Sequence, residues 1–220
     1  MKKTGAILLF GAIIFLATDA SQAGLIQWDS IINATGNATD VSLSGTLVDS
    51  ATTFNSSVTL NGVTFNRQTG TSGGVISFAN SNITFNNVVN IQQWGDGAPP
   101  SWNSEYRNLL RTGAYQASSM EIKIGGLTVG QDYQVQLWAP FWNRNWATGY
   151  SDSSSSGGNE SGLLDLGIYS EPGFSGQPSQ YVLGNFTADS NTQSIWGYTS
   201  SGFGTGTHII SALQVRAVPN

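Results

Sequence analysis

The stretch Met120-Glu121-Ile122-Lys123-Ile124-Gly125-Gly126-Leu127-Thr128-Val129-Gly130-Gln131-Asp132-Tyr133-Gln134-Val135-Gln136-Leu137-Trp138 decides the fold. In its first half Met120, Ile122 and Ile124 alternate with Glu121 and Lys123. In its second half Tyr133, Val135 and Leu137 alternate with Gln134 and Gln136. Period-two alternation on both sides of a glycine-rich turn predicts two half-buried strands. Trp138 shares the parity of Gln134 and Gln136, so it is expected on the outward face. It leads into Phe141-Trp142-Asn143-Arg144-Asn145-Trp146, read as an aromatic loop with polar partners.

The same alternation recurs on both sides. Upstream, Ile26 and Trp28 open a first strand, Val41 to Val48 reads as a second, and Val75–Phe78 and Ile83–Val89 as others. Val58 and Leu60 are separated from Val63 and Phe65 by Asn61-Gly62, the strongest short hairpin signal, because both turn positions need φ > 0. Downstream, Leu164, Leu166 and Ile168 alternate, and Tyr181–Ala188, Gln193–Tyr198 and Ile209–Ala217 read as the last strands. Pro99-Pro100 interrupts the pattern. Beyond it Tyr106, Leu109 and Leu110 stand at helical spacing, with Ser104 as N-cap and Gly113 as stop, which predicts one short helix. Asp152–Gly158 and Glu171–Gln180 read as loops. Strands at this spacing predict an all-β chain, a two-sheet antiparallel β-sandwich of jelly-roll type with one short helix.

Lys2-Lys3, the apolar run Ala6–Ala17 and the small residues of Ser21-Gln22-Ala23 form the pattern of a secretory signal peptide, residues 1–23. The apolar run falls short of the ~20 residues a spanning helix needs. Residues 24–220 are then a single exported domain. Without residues 1–23, six basic residues face twelve acidic ones. So sparse and acidic a surface argues against nucleic acid or anionic membranes as partners. With no cysteine, an exported chain of this size rests on packing rather than disulfides. Seven Trp, seven Tyr and ten Phe supply the apolar area for it.

Several segments in order resemble exported β-sandwich domains found in PEP-CTERM-type proteins of planctomycetes and verrucomicrobia. They are Asp40-Val41-Ser42 with Gly45-Thr46-Leu47-Val48, Asn61-Gly62-Val63-Thr64-Phe65, Leu109-Leu110-Arg111-Thr112-Gly113, Gly126 to Trp138, Gly184-Asn185-Phe186-Thr187-Ala188-Asp189 and Ala212-Leu213-Gln214-Val215-Arg216-Ala217-Val218-Pro219. The resemblance implies a bacterial cell-surface or matrix domain and carries no catalytic residues over. Such proteins continue past Ala-Val-Pro into a sorting tail. The sequence ends at Asn220, so release is expected rather than retention.

Chemistry is sparse. His208 is the only histidine, there is no nucleophile-elbow motif, and no His/Cys set for zinc exists. Glycoside hydrolysis needs two carboxylates about 5–9 Å apart. Glu105, Glu121, Glu160 and Glu171 are candidates, but no pair is marked, and Glu121 beside Lys123 reads as a surface pair. No cofactor is implied. Asp96 and the Asp152, Asn159, Glu160 loop leave room for a structural calcium ion without any EF-hand signature. Sequons at Asn33, Asn37, Asn55, Asn82, Asn159 and Asn185 follow from the composition. The aromatics point furthest. Flat rings stack on the C–H faces of sugars while Asn and Arg bond the hydroxyls. Trp138, Trp142, Asn143, Arg144 and Trp146, with Trp94 and Trp102 beside them, are therefore the expected carbohydrate contacts. The competing expectations are burial of these rings, a contact patch for a surface protein, a structural cell-surface or matrix protein that self-associates, or a glycoside hydrolase.

Overall fold

The computed structural model describes residues 24–93, 98–116, 119–141, 146–155, 157–166, 179–200 and 207–219. The expected signal peptide, Trp94, Asp96, Trp142, Asn143, Arg144, Ile168, Glu171 and most of the 171–180 loop lie outside these residues.

The described chain is mostly β. Its first strands are β1 (Gln27–Trp28), β2 (Ile32–Asn33), β3 (Thr46–Thr52), β4 (Val58–Leu60), β5 (Val63–Ser72), β6 (Val75–Phe78), β7 (Ile83–Asn86) and β8 (Asn90–Gln93). A short helix, α1 (Ser104–Leu110), precedes β9 (Thr112–Gln116), β10 (Glu121–Gly125), β11 (Asp132–Trp138), β12 (Ala147–Ser151) and β13 (Glu160–Asp165). The last are β14 (Gln180–Thr187), β15 (Thr192–Tyr198), β16 (His208–Ile210) and β17 (Ala212–Ala217).

The hairpin signal holds: Asn61 and Gly62 have φ of 49° and 77°, and β4 pairs antiparallel with β5 across them. The cap lies one residue earlier than expected: the side chain of Asn103, not Ser104, accepts from the backbone N–H groups of Glu105 and Tyr106, and the helix starts at Ser104. Gly113 does not stop it. The helix ends at Leu110, and Gly113 pairs with Gln92 inside β9. The final expected strand is cut at Ser211. That residue bonds Trp138 O through its N–H and Leu109 O through its hydroxyl, and it leaves β16 and β17 in different sheets.

Two separate sheets were expected; the strands instead form one fourteen-stranded sheet and a three-stranded sheet of β16, β9 and β8. The large sheet runs β1-β14-β11-β17-β3-β5-β6-β7-β10-β15-β12-β13. Its halves are joined by a two-residue parallel pairing, Ala51 with Asn66 and Thr52 with Arg67. The halves share one core. Tyr133, Val135, Leu137, Val182, Phe186, Leu213 and Val215 from one meet Ile76, Phe85, Ile122, Ile124, Ile195 and Leu164 from the other. Each such side chain contributes about 1.5–3 kcal/mol relative to exposure.

The sheet curls until its two ends meet. Ile26 N–H donates to Asp152 Oδ2 at 3.0 Å, Trp28 Nε1 to Asn159 O at 3.0 Å, and Asp165 N–H to Gln180 Oε1 at 2.7 Å. Trp28 lies flat on β14, and a Cβ on Gly184 would come within 2.7 Å of its ring.

Trp138 requires a correction. It points away from the shared core, as its parity predicts, yet it is fully buried. A second cluster covers this face: Tyr106, Leu109 and Leu110 of α1, Val58, Leu60, Val63 and Phe65 of the hairpin, Tyr181 and Ala212. Phe65 meets the Trp138 ring edge-on at 5.5 Å.

Asp152→Ala removes the acceptor for two backbone N–H groups, those of Ile26 and Asn159. It is expected to lower unfolding free energy by about 2 kcal/mol in urea denaturation, because a charged acceptor of buried donors is lost.

Candidate functional site

Each half of the large sheet has an outward face, and the two differ. On the half built from β11, β14 and β17, the outward amides are bound to the chain. Gln136 Oε1 accepts from Ser42 N–H at 2.9 Å and from Gln214 Nε2 at 2.8 Å. Arg216 donates to Ser44 O and Gly45 O, each at 2.9 Å, and burial pulls its pKa down. The segment Val41–Gly45, expected as part of a strand, is a strap over this ladder.

The half built from β7, β10, β15 and β12 carries the site. Register places Asn86 opposite Glu121, Glu121 opposite Trp196, and Trp196 opposite Ser151. A second row holds Ser77, Thr84, Lys123 and Ser194. All have the parity opposite to Phe85, Ile122 and Ile195, which face the core. Trp196 is partly exposed and belongs to neither buried cluster. The Glu121 carboxylate is held by two cross-strand donors, Asn86 Nδ2 at 2.8 Å and Ser194 Oγ at 2.6 Å. Lys123, expected as its partner, is exposed beside it. The two rows together offer a flat ring, a fixed acceptor and an exposed amine.

The sequence-derived aromatics are not assembled into a rim among the described residues. Trp138 donates its Nε1–H to Tyr106 Oη at 3.0 Å inside the second cluster. Burial, and then the nearby Asp40 carboxylate, push the Tyr106 phenol well above its ordinary range. Trp102 meets Tyr106 at 5.7 Å and Phe141 at 5.2 Å, edge-on, and its ring covers Gly36 so closely that a Cβ there would lie 2.0 Å away. Trp146 packs against the shared core. Trp94, Trp142, Asn143 and Arg144 lie outside the described residues. Trp196 was missed although its signal was present: in Gln193-Ser194-Ile195-Trp196-Gly197, alternation places Trp196 with Ser194, opposite Ile195.

Among the described residues the candidate glutamates Glu105, Glu121 and Glu160 lie on separate elements. Glu105 sits in the first turn of α1. Glu160 pairs across from Ser151, three strand spacings from Glu121. That is about 14 Å along the sheet, beyond the separation of a glycosidase pair. Both Asp152 oxygens accept backbone N–H groups, so this carboxylate closes the sheet. No group of three or more His, Cys, Asp or Glu able to hold a metal occurs among the described residues. None of their helices is long and apolar enough to cross a membrane.

His208 is fully buried at the start of β16, and neither ring nitrogen has a hydrogen-bond partner among the described residues. Burial holds its pKa below the ordinary histidine range, and the Tyr198 backbone, near the ring but short of a full hydrogen bond, acts in the opposite direction.

No family model matches the chain, and no curated protein matches it. Among solved structures it is similar to Bacteroides uniformis beta-glucuronidase 2, covalently bound to cyclophellitol-6-carboxylate aziridine, at 12% identity and a TM-score of 0.47. The likeness covers 78% of this chain, which spans 18% of that one.

Because His208 is held neutral when folded, the unfolded chain takes up its proton first on acidification. Its contribution is intact above about pH 6.5 and is lost as pH falls through the depressed folded value. The urea midpoint of His208→Leu is expected to fall less between pH 7 and pH 5 than that of the parent chain. Equal slopes would show that His208 does not titrate in this window.

Proposed function

We propose that this chain is a secreted, non-enzymatic domain that binds extracellular carbohydrate, the two halves of its one curled sheet serving as the faces of a β-sandwich of jelly-roll type. The observation that carries the reading is the row Asn86–Glu121–Trp196 on the outward sheet face. An indole face takes the C–H side of a pyranose. A carboxylate already fixed by Asn86 and Ser194 accepts from a sugar hydroxyl without losing further side-chain entropy. The contact face is thus moved from the loop after β11 to β15. The dispersion of Glu105, Glu121 and Glu160 supports binding over hydrolysis. Export rests on the pattern of residues 1–23 and on the resemblance given by the sequence.

A second reading, self-association as a surface or matrix protein, is favoured by Leu43, Leu47 and Val48, which are 52%, 37% and 40% exposed around the strap and the start of β3. Light scattering that rises with concentration in the parent chain and not in Leu43→Ser is its expected signature.

Trp196→Ala is expected to weaken binding to a neutral polysaccharide at least tenfold in affinity electrophoresis, with an unchanged melting temperature. Such a loss corresponds to about 1.4 kcal/mol. Panels of cellulose-, laminarin-, xylan- and mannan-type chains supply the ligand. Equal retardation of parent and variant on all of them would reject the Trp196 face.

A further inference from the structure

A concave site lies on the other half of the sheet, unused by the reading above. It has a volume of about 540 Å³ and is lined by Leu25, Gln27, Asp132, Asn185, Thr187 and Val218, over Tyr133 and Phe186. That size is ordinary for a small-molecule site. We infer that this groove is a second carbohydrate site, one that takes a single neutral hexose unit, such as the end of a chain.

The groove is built from outward positions. Gln27 stands opposite Asn185, Asn185 opposite Gln134, and Asp132 opposite Thr187. Its polar groups are fixed before any ligand arrives. Gln134 Nε2 donates to Asn185 Oδ1 at 3.2 Å, and the Thr187 hydroxyl donates to Asp132 Oδ1. The strands beneath are braced as well. On the core side Tyr133 and Phe186 stack at 5.5 Å and 23°, and the Tyr133 hydroxyl accepts from Thr128 N–H at 2.8 Å. Val218 is held as a wall by its N–H on Asp132 O at 3.0 Å and by Gln131 Nε2 on its carbonyl at 2.6 Å.

The lining selects the ligand. Among the described residues it contains amides, a hydroxyl and a carboxylate but no Lys, Arg or His, so it offers an anionic sugar no cationic partner. Side chains on neighbouring strands stand about 5 Å apart, so adjacent hydroxyls of one ring reach different strands. Leu25, 63% exposed, and Val218 supply aliphatic contact for the ring's C–H edges. The rings of Tyr133 and Phe186 face the core, so recognition here is by hydrogen bonds at a ring edge. The Trp196 face works by stacking on a flat surface. Because the inner faces of the two sheet halves share one core, their outer faces point apart, and one molecule then holds two glycan segments at once.

The test reads the groove in a Trp196→Ala background, so it does not depend on the Trp196 face. Amide shift perturbation in ¹⁵N–¹H spectra is followed with methyl glucoside, methyl galactoside, methyl mannoside and glucuronic acid. Shifts at Leu25, Asn185 and Thr187 with at least one neutral glycoside, and none with glucuronic acid, are expected. Gln27→Ala and Asp132→Asn should each weaken that binding at least tenfold while leaving the rest of the spectrum in place. Silence at these residues across the panel, or unchanged affinity in both variants, overturns the proposal. Binding of glucuronic acid alone overturns the neutral-ligand assignment.

Discussion

The closure of the sheet on itself is the constraint from which the rest follows. A sheet edge presents unpaired N–H and C=O groups and invites pairing with another chain. Here the edges at β1 and β13 are brought together without a backbone ladder. Asp152, Asn159 and Gln180 supply acceptors for Ile26 N–H, the Trp28 indole and Asp165 N–H. The Asp152 carboxylate serves twice, since its other oxygen holds Asn159 N–H at 2.9 Å. A chain without cysteine thereby ties its first strand to a strand more than a hundred residues away. Each half of the sheet is held to the other by this seam and by the two-residue parallel join of β3 to β5. The shared core then fills between two fixed walls.

Which face a side chain takes was legible in the sequence wherever alternation was clean. Glu121 and Lys123 face out between Met120, Ile122 and Ile124, which are buried. Tyr133, Val135 and Leu137 line the core as their parity predicts. The Asn61-Gly62 turn was equally legible, because its requirement is local: two successive residues at positive φ. What failed was local evidence for non-local facts. β8 and β9 carry no clean alternation and are strands because they pair with each other and with β16. Ile209–Ala217 reads as one strand, with Leu213 and Val215 alternating against Gln214 and Arg216, and the demands of Trp138 O and Leu109 O on Ser211 split it between sheets.

Parity names a face and says nothing of what lies on it. Trp138 and Trp196 both point away from the shared core, and their sequence surroundings look alike. α1 and the β4–β5 hairpin settle over Trp138, and they come from segments before it in the chain. Neither buried cluster includes Trp196. Polar neighbours do not separate the two cases either. Gln134 and Gln136 flank the buried indole side of β11, and Ser194 flanks Trp196. The separation lies in where those polar groups find partners. Gln136 is bonded to the strap, with Ser42 N–H on its oxygen and Asp40 O on its nitrogen at 2.7 Å. Among the described residues Glu121 is bonded across strands, to Asn86 and Ser194.

That difference bears on how such a surface recognises a ligand. A buried amide ladder must be satisfied by the chain itself, since an unpaired buried polar group costs about 1–3 kcal/mol. The strap over Gln136, Gln214 and Arg216 meets that demand with backbone carbonyls, and in doing so it closes the face. An open face has water for its spare valences and is free to exchange that water for sugar hydroxyls. Cross-strand bonds such as Asn86 to Glu121 fix direction without consuming every acceptor position, because a carboxylate has about four. Strap and open row are thus two outcomes of one rule applied to the two sides of the same closed sheet. The stretch under the strap, whose polar groups are completed by the chain, is structural. The open row and the groove beside the strap, whose polar groups are only aimed by the chain, are left with the capacity to bind.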